Sequence, residues 1–413
     1  MTIKLSIPRG IIYHTIFEDF KWLLKSFVSK LDAGEKVVEF ETAFAKWMNK
    51  KYCKAFPFAR TAIYFCLKFK DFPEGSEIIM PPISIKGILD VVLMLGLKPV
   101  FVDINKETLC FDEDLFAKAI NSKTKAVIFT YLFGIVPDIG ALKNIADKYE
   151  LFVIEDFSQC LNGEFDNKKI GGFGDVGVYS ASSIKTLDTY GGGLLVTDSL
   201  EINKAMQIGK ATLLRPIRIV LVKKILTDLI RNVATNRIVF SLLVFNLIKL
   251  MTRISPETVE KQTGERDQKM IKKMPDEWFL SYTSLQAEVG LSILPRLEKV
   301  DNIRVENVNF LKKYISDKSV KFPKGVTNGK NIYWQLIGYL SPKISNVQSK
   351  TQQQGIDTAR SSLLQISNLT DYPFIASTPN ANELYSTGFF IPSYPSLSEK
   401  DLIRVIKAFN SLK

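Results

Sequence analysis

The chain has 413 residues, 46% of them hydrophobic, enough to bury a sizeable core and to form two domains. Its single histidine, His14, rules out histidine triads and multi-histidine metal sites, and its four cysteines lack the spacing of a metal site or a disulfide framework. The formal net charge of +12 is concentrated in one segment, which argues against a nucleic-acid partner.

From about residue 35 to 200, short apolar runs alternate with amphipathic stretches. The runs predict strands over 54–58, 77–80, 99–102, 126–130, 151–154, 177–180 and 193–196. Helical patterns over 85–94, 113–120 and 139–149 lie between some of them. This alternation predicts an α/β fold, a mainly parallel seven-stranded sheet sandwiched by helices. Gly172-Phe-Gly-Asp-Val-Gly177 matches a dinucleotide fingerprint by its letters. That fingerprint must open a helix, whereas Val178-Tyr-Ser reads as a strand.

Residues 211–256 read as a basic, apolar helical insertion. Nine Lys or Arg residues between Lys210 and Arg253 stand against one acid, Asp228. Two aliphatic halves begin at Arg215 and Arg237, and a turn over 232–236 predicts a hairpin. The longest uncharged run, 238–248, is shorter than the ~20 residues of a membrane span. The expectation is therefore that 211–254 lies on an anionic membrane surface without crossing it; a helix pair packed at a dimer interface stays open as the alternative. Residues 257–277 are polar and read as a surface linker. From Ser284 a helical pattern leads into a smaller C-terminal α+β domain. The expected division is a large domain over 1–210, the insertion over 211–256, and linker, bridging helix and small domain over 257–413. The first residues lack the apolar core of a signal peptide, so the expected location is cytoplasmic, peripheral on the inner face of the membrane.

The chemistry concentrates in two places. Asp156, in Val153-Ile-Glu-Asp-Phe-Ser-Gln159, is a carboxylate just past a buried strand. Lys185, in Ser180-Ala-Ser-Ser-Ile-Lys185, ends a segment that follows another strand. A carboxylate so placed can pair with the ring nitrogen of pyridoxal phosphate (PLP), and a lysine about 30 residues on can form its Schiff base. Gln159 is placed to bond the cofactor's phenolic oxygen and Ser180 its phosphate. Thr61, Ala62 and the N-terminus of their helix form a further phosphate cradle, with Arg60 beside it.

With Tyr190-Gly-Gly-Gly193 behind them, these motifs resemble the DegT/DnrJ/EryC1/StrS sugar aminotransferases of PLP fold type I. The likeness also rests on Gly75-Ser-Glu-Ile-Ile-Met-Pro-Pro82, Lys98-Pro-Val-Phe-Val-Asp103 and Thr124-Lys-Ala-Val-Ile128. It extends weakly to Ser284-Leu-Gln-Ala and Ile391-Pro-Ser-Tyr-Pro395. The resemblance implies a homodimer that aminates a keto-sugar on a nucleotide or lipid carrier, with glutamate as donor, in cell-surface polysaccharide or lipopolysaccharide synthesis. By the same resemblance, Lys185 and Asp156 are catalytic, and Ile85 stands where an aromatic ring often covers one ring face, with Ser158 on the other. Arg360 is a weaker expectation for the donor carboxylate or a carrier phosphate. Two alternatives stay open: another fold type I PLP enzyme making a membrane lipid product, and a membrane-associated non-catalytic homologue.

One retained residue and one departure from the family stand out. Its sugar dehydratases carry histidine in place of the Schiff-base lysine, and Lys185 points away from that branch. The family commonly has an Asn and an Arg before its Leu-Gln-Ala-Ala helix, the Asn reaching the neighbouring subunit's phosphate. Here Phe279 and Ser281 stand at those places.

Overall fold

The structure, a computed structural model, describes residues 5–254, 269–342, 344–361, 363–369, 372 and 376–412. Its centre is a seven-stranded sheet. The strand order is Tyr52–Phe56, Gly193–Thr197, Val176–Ser180, Phe152–Asp156, Thr124–Thr130, Glu77–Met80 and Lys98–Phe101. Gly193–Thr197 runs antiparallel to both neighbours, and the other pairings are parallel. The seven expected strands are these seven, with ends shifted by up to two residues. The largest shift, at Tyr52–Phe56, arises because Pro57 ends the pairing and Phe58 becomes the N-cap of helix Ala59–Lys70.

Each central strand is apolar on both faces, as burial beneath two helical layers requires. Ala126, Ile128, Phe152, Ile154, Val176 and Val178 face one core, while Val127, Phe129, Val153 and Tyr179 face the other. This period of two decides where the chemistry points. Thr130, Asp156 and Ser180 end their strands on the first of those faces. Glu155 lies on the opposite face, where it accepts from Gly171, Phe173 and Gly174 N–H groups. The Gly172–Gly177 loop thus wraps a carboxylate and enters the strand Val176–Ser180, the reverse of a dinucleotide fingerprint.

A three-stranded antiparallel sheet of Val320–Lys321, Leu336–Leu340 and Gly388–Ile391 forms a second centre. Helices Leu297–Tyr314 and Glu399–Asn410 pack on it through Val308, Leu311, Val405 and Phe409.

Helix Arg218–Thr235 is followed, after Asn236, by a helical stretch Arg237–Ile254 whose axis departs by 62°. The segment is helical as expected, but it bends and does not fold back into a hairpin. The connection is one residue, Asn236, whose side chain caps Ile238 N–H at 3.1 Å, too short a link to reverse direction. Leu221, Val222 and Ile225 turn inward, while Ile238, Leu242, Leu243, Leu247, Leu250 and Ile254 stay exposed. Among the described residues no single helix is long and apolar enough to cross a membrane. The expected linker lies partly outside the described residues; of it, 269–277 is described and mostly exposed.

Candidate active site

Asp156 and Ser180 end neighbouring parallel strands, and a chain of hydrogen bonds ties the strand ends together. Ser158 N–H donates to Asp156 Oδ1 at 3.1 Å, and Ser180 N–H donates to Ser158 Oγ at 2.9 Å. Ser180 and Ser182 hydroxyls lie 3.0 Å apart. Lys185 follows in a tight loop whose preceding residue, Ile184, has φ +69°. A left-handed conformation is costly for a β-branched residue, about 1–3 kcal/mol, and persists only where surrounding structure enforces it. Here Trp334 Nε1 donates to Ile184 C=O at 3.0 Å, and the Lys185 ammonium lies 3.8 Å from the Trp334 ring centre.

Burial governs the charges. It pushes the Lys185 amine down to about 8, against the opposing pull of the Asp156 carboxylate. Burial also raises the Asp156 carboxyl, against the Ser158 donors and the Lys185 charge. A lysine so placed holds a substantial fraction of free amine near neutral pH, as a nucleophile or proton carrier needs.

Gln159 Oε1 accepts from Phe133 N–H at 2.7 Å, which fixes its amide with the NH₂ end directed elsewhere as a donor. Thr61 is placed differently from expectation. Its hydroxyl donates to Trp278 C=O at 2.6 Å, and Thr61 and Ala62 N–H both donate to Phe58 C=O. The first-turn donors that helix geometry leaves open are those of Ala59 and Arg60. The Arg60 guanidinium lies 4.6 Å from the Phe58 ring centre and 4.5 Å from that of Trp278, so it is not a free surface arginine. Ser158 serves as an acceptor for the Ser180 peptide, so the strand ends engage its hydroxyl. Ile85 caps helix Lys86–Met94 and is half-buried. Arg360 is not brought to this group: its guanidinium lies 5.2 Å from the Phe389 ring centre and bonds Ser386 C=O.

Beside the lysine loop lies a cavity of about 470 Å³, bounded by Arg9, Tyr13, Ser183, Ile184, Arg231, Arg304, Trp334, Gln335 and Tyr394 among others. Arg9 Nη1 and Gln335 Oε1 are buried there without a hydrogen-bond partner among the described residues. Trp334, wall of this cavity and support of Lys185, escaped sequence reasoning. Its signal is the aromatic run Asn331-Ile-Tyr-Trp334, but no spacing rule ties that run to residue 185.

These residues fit PLP. Asp156 and Lys185 supply the carboxylate and the amine, and the Gln159 amide is turned to donate. Thr130, paired in register with Asp156, has a buried hydroxyl oxygen without a partner among the described residues. A buried lysine within electrostatic reach of a buried carboxylate, at the carboxyl edge of a parallel sheet, is how a PLP-dependent enzyme is built. The chain belongs to the DegT/DnrJ/EryC1/StrS aminotransferase family, whose sequence model matches residues 11–215 and 269–410. The unmatched stretch between them contains the bent helix pair.

Among curated relatives, the chain is 29% identical over 176 residues to a GDP-perosamine synthase of Vibrio cholerae, covering 42% of this chain and 48% of that one. It is 31% identical over 194 residues to a UDP-4-amino-4,6-dideoxy-N-acetyl-beta-L-altrosamine transaminase of Helicobacter pylori, covering 46% and 52%. The matches thus span about half the length of these relatives. The solved structure of PseC from Helicobacter pylori, an aminotransferase involved in the biosynthesis of pseudoaminic acid, superposes with a TM-score of 0.74. That superposition covers 98% of both chains at 20% identity and shows a shared fold.

Proposed function

We propose that this protein is a PLP-dependent aminotransferase that converts a keto-sugar on a nucleotide carrier to an amino-sugar, with glutamate as donor, for cell-surface polysaccharide. The observation that carries the reading is the buried Lys185 amine, pushed down to about 8 within reach of the Asp156 carboxylate. The substrate class comes from the GDP-perosamine synthase and the UDP-sugar transaminase that this chain resembles. Lys185, where the family's dehydratases have histidine, favours amine transfer over dehydration.

In this reading PLP supplies an electron sink. Asp156 holds the proton on the ring nitrogen, and the Gln159 amide donates to the phenolic oxygen. Lys185 accepts and returns the proton at the substrate carbon. Trp334 and the lysine loop hold that amine in place, and the 470 Å³ cavity receives the sugar.

The division into 1–210, 211–256 and 257–413 belongs to the same proposal. So do the cytoplasmic location and a homodimer, which the exposed row Phe17, Phe20, Leu24 and Phe27 supports. The leucine-rich outer face of Arg237–Ile254, flanked by Lys249 and Arg253 and lacking any acid, supports contact with an anionic membrane surface.

The test supplies glutamate and a panel of nucleotide-linked keto-sugars and follows product by mass. Amine transfer that vanishes in Lys185→Ala, with borohydride fixing the cofactor on Lys185 in the wild type, is the expected result. Bound cofactor without transfer from any donor would overturn it. Flotation with anionic vesicles tests the membrane contact, which Leu247→Glu should abolish. A dimer disrupted by that change, without flotation in the wild type, would give the face to a second copy.

A further inference from the structure

The family places an Asn where this chain has Phe279 or Ser281, and both of these are built into their own chain. The Phe279 ring packs edge-on to Tyr64 and Phe65, and Ser281 N–H and Oγ both donate to Leu214 C=O. Neither is available to a neighbouring subunit's phosphate. The segment that the family model leaves unmatched brings a cation to the Phe58 ring, at the start of helix Ala59–Lys70.

Lys224, on helix Arg218–Thr235, is half-buried, with its ammonium 4.6 Å from the Phe58 ring centre and in the space that a side chain at Gly191 would enter. Gly192 bridges to Phe58, and Gly193 pairs with Ser180, so Lys224 stands where the Ala59–Lys70 helix begins and the Ser180 strand ends. Among the described residues no hydrogen bond or ion pair engages this ammonium. Arg60 shares the Phe58 ring with it. Burial lowers the Lys224 amine; Glu277 opposes this and Arg60 adds to it. Two cations share the Phe58 ring at one helix N-terminus, which backbone pairing through Gly192 and Gly193 links to Ser180, and an anion there would be stabilised by both.

We propose that Lys224, carried by the added helix, anchors the cofactor phosphate together with Arg60 from within the same chain. The idea rests on the PLP reading above. It replaces a contact made between subunits by one made inside a subunit, and it gives the added helix a role in the active site.

The test titrates cofactor-free protein with PLP and with pyridoxal, which lacks the phosphate, and reads bound-cofactor absorbance. Lys224→Ala should weaken PLP about tenfold or more while leaving pyridoxal binding unchanged, as loss of a charged hydrogen bond implies. Lys224→Arg should restore most of the loss, and Lys223→Ala, at an exposed neighbour, should change nothing. Equal PLP affinity in Lys224→Ala and wild type would overturn the proposal, as would equal losses for PLP and pyridoxal. A wild-type chain that binds no PLP would sink the cofactor reading itself. A mixture of Lys185→Ala and Lys224→Ala chains distinguishes the source of the anchor. Tight PLP sites reappear in the mixture only if Lys224 acts on a partner, and that result would also overturn the inference.

Discussion

Trp334 holds the lysine loop at two points: its indole N–H bonds the Ile184 carbonyl at 3.0 Å, and its ring carries the Lys185 ammonium at 3.8 Å. One side chain from the C-terminal half therefore fixes both the left-handed residue and the reactive amine that follows it. Trp334→Ala should lower the maximal rate of amine transfer about tenfold, the scale of one buried hydrogen bond together with a displaced amine. Trp334→Phe, which keeps a ring but loses the donor, should fall between. Steady-state kinetics at saturating donor checks both, and an unchanged maximal rate in Trp334→Ala would remove this role.

The charge balance at Lys185 is open to titration. In cofactor-free protein, labelling of Lys185 by an amine-directed reagent, read by peptide mass, should rise with a midpoint near pH 8. Asp156→Asn removes the carboxylate that favours the ammonium, so the midpoint should move lower. The same shift has a stability consequence. The folded chain gives up its Lys185 proton at about 8, below the ~10.4 of an unfolded lysine. Between those values the unfolded state binds more protons, so this group makes stability rise with pH across that window. Lys185→Met should remove that rise from denaturant unfolding curves.

A buried ion pair lies within helix Leu297–Tyr314, and its arginine also reaches the N-terminal segment at Tyr13. Arg304 is buried and donates to Asp301, to Ile332 C=O at 3.0 Å and to Tyr13 Oη at 3.0 Å. Arg304→Leu strips the buried Asp301 carboxyl of its cation, leaving it to burial, which favours the neutral form. The expected loss is about 3–5 kcal/mol in urea or guanidinium unfolding. Asp301→Asn combined with Arg304→Leu should recover part of it.

His14, Asp19, Asp188, Tyr190, Asp228 and Arg231 crowd together behind the lysine loop. Tyr190 Oη donates to Asp19 at 2.7 Å, His14 Nε2 lies 2.9 Å from Asp188 C=O, and Arg231 lies 3.5 Å from Asp228. Burial first, and then the Asp228 charge, raise the Asp188 carboxyl well above its usual value. A raised carboxyl contributes stability that is present at low pH and is lost as pH climbs from about 4 through the raised value. Asp188→Asn should flatten that decline, leaving the variant the more stable chain at neutral pH. Parallel unfolding curves for the two proteins across this range would show that Asp188 titrates normally.

The sequence by itself determined the seven strands, their largely parallel order and the positions of Asp156 and Lys185 at and beyond strand ends. Those features follow from local causes: apolar runs with a period of two, and carboxylate and lysine placed just past strand ends. It also located the basic helical segment, through composition alone. Only the tertiary structure decided which distant residues meet around these strand ends. Trp334 reaches Lys185 from about 150 positions away, the Thr61 hydroxyl turns to Trp278, and Lys224 meets Phe58 and Gly191. Arg360, expected at the site, binds within the C-terminal sheet instead. The difference is physical. Strand period and chain neighbours are written in consecutive residues, whereas the return of a C-terminal aromatic or an added helix to the sheet edge depends on how separate apolar faces pack, and no spacing in the sequence records it.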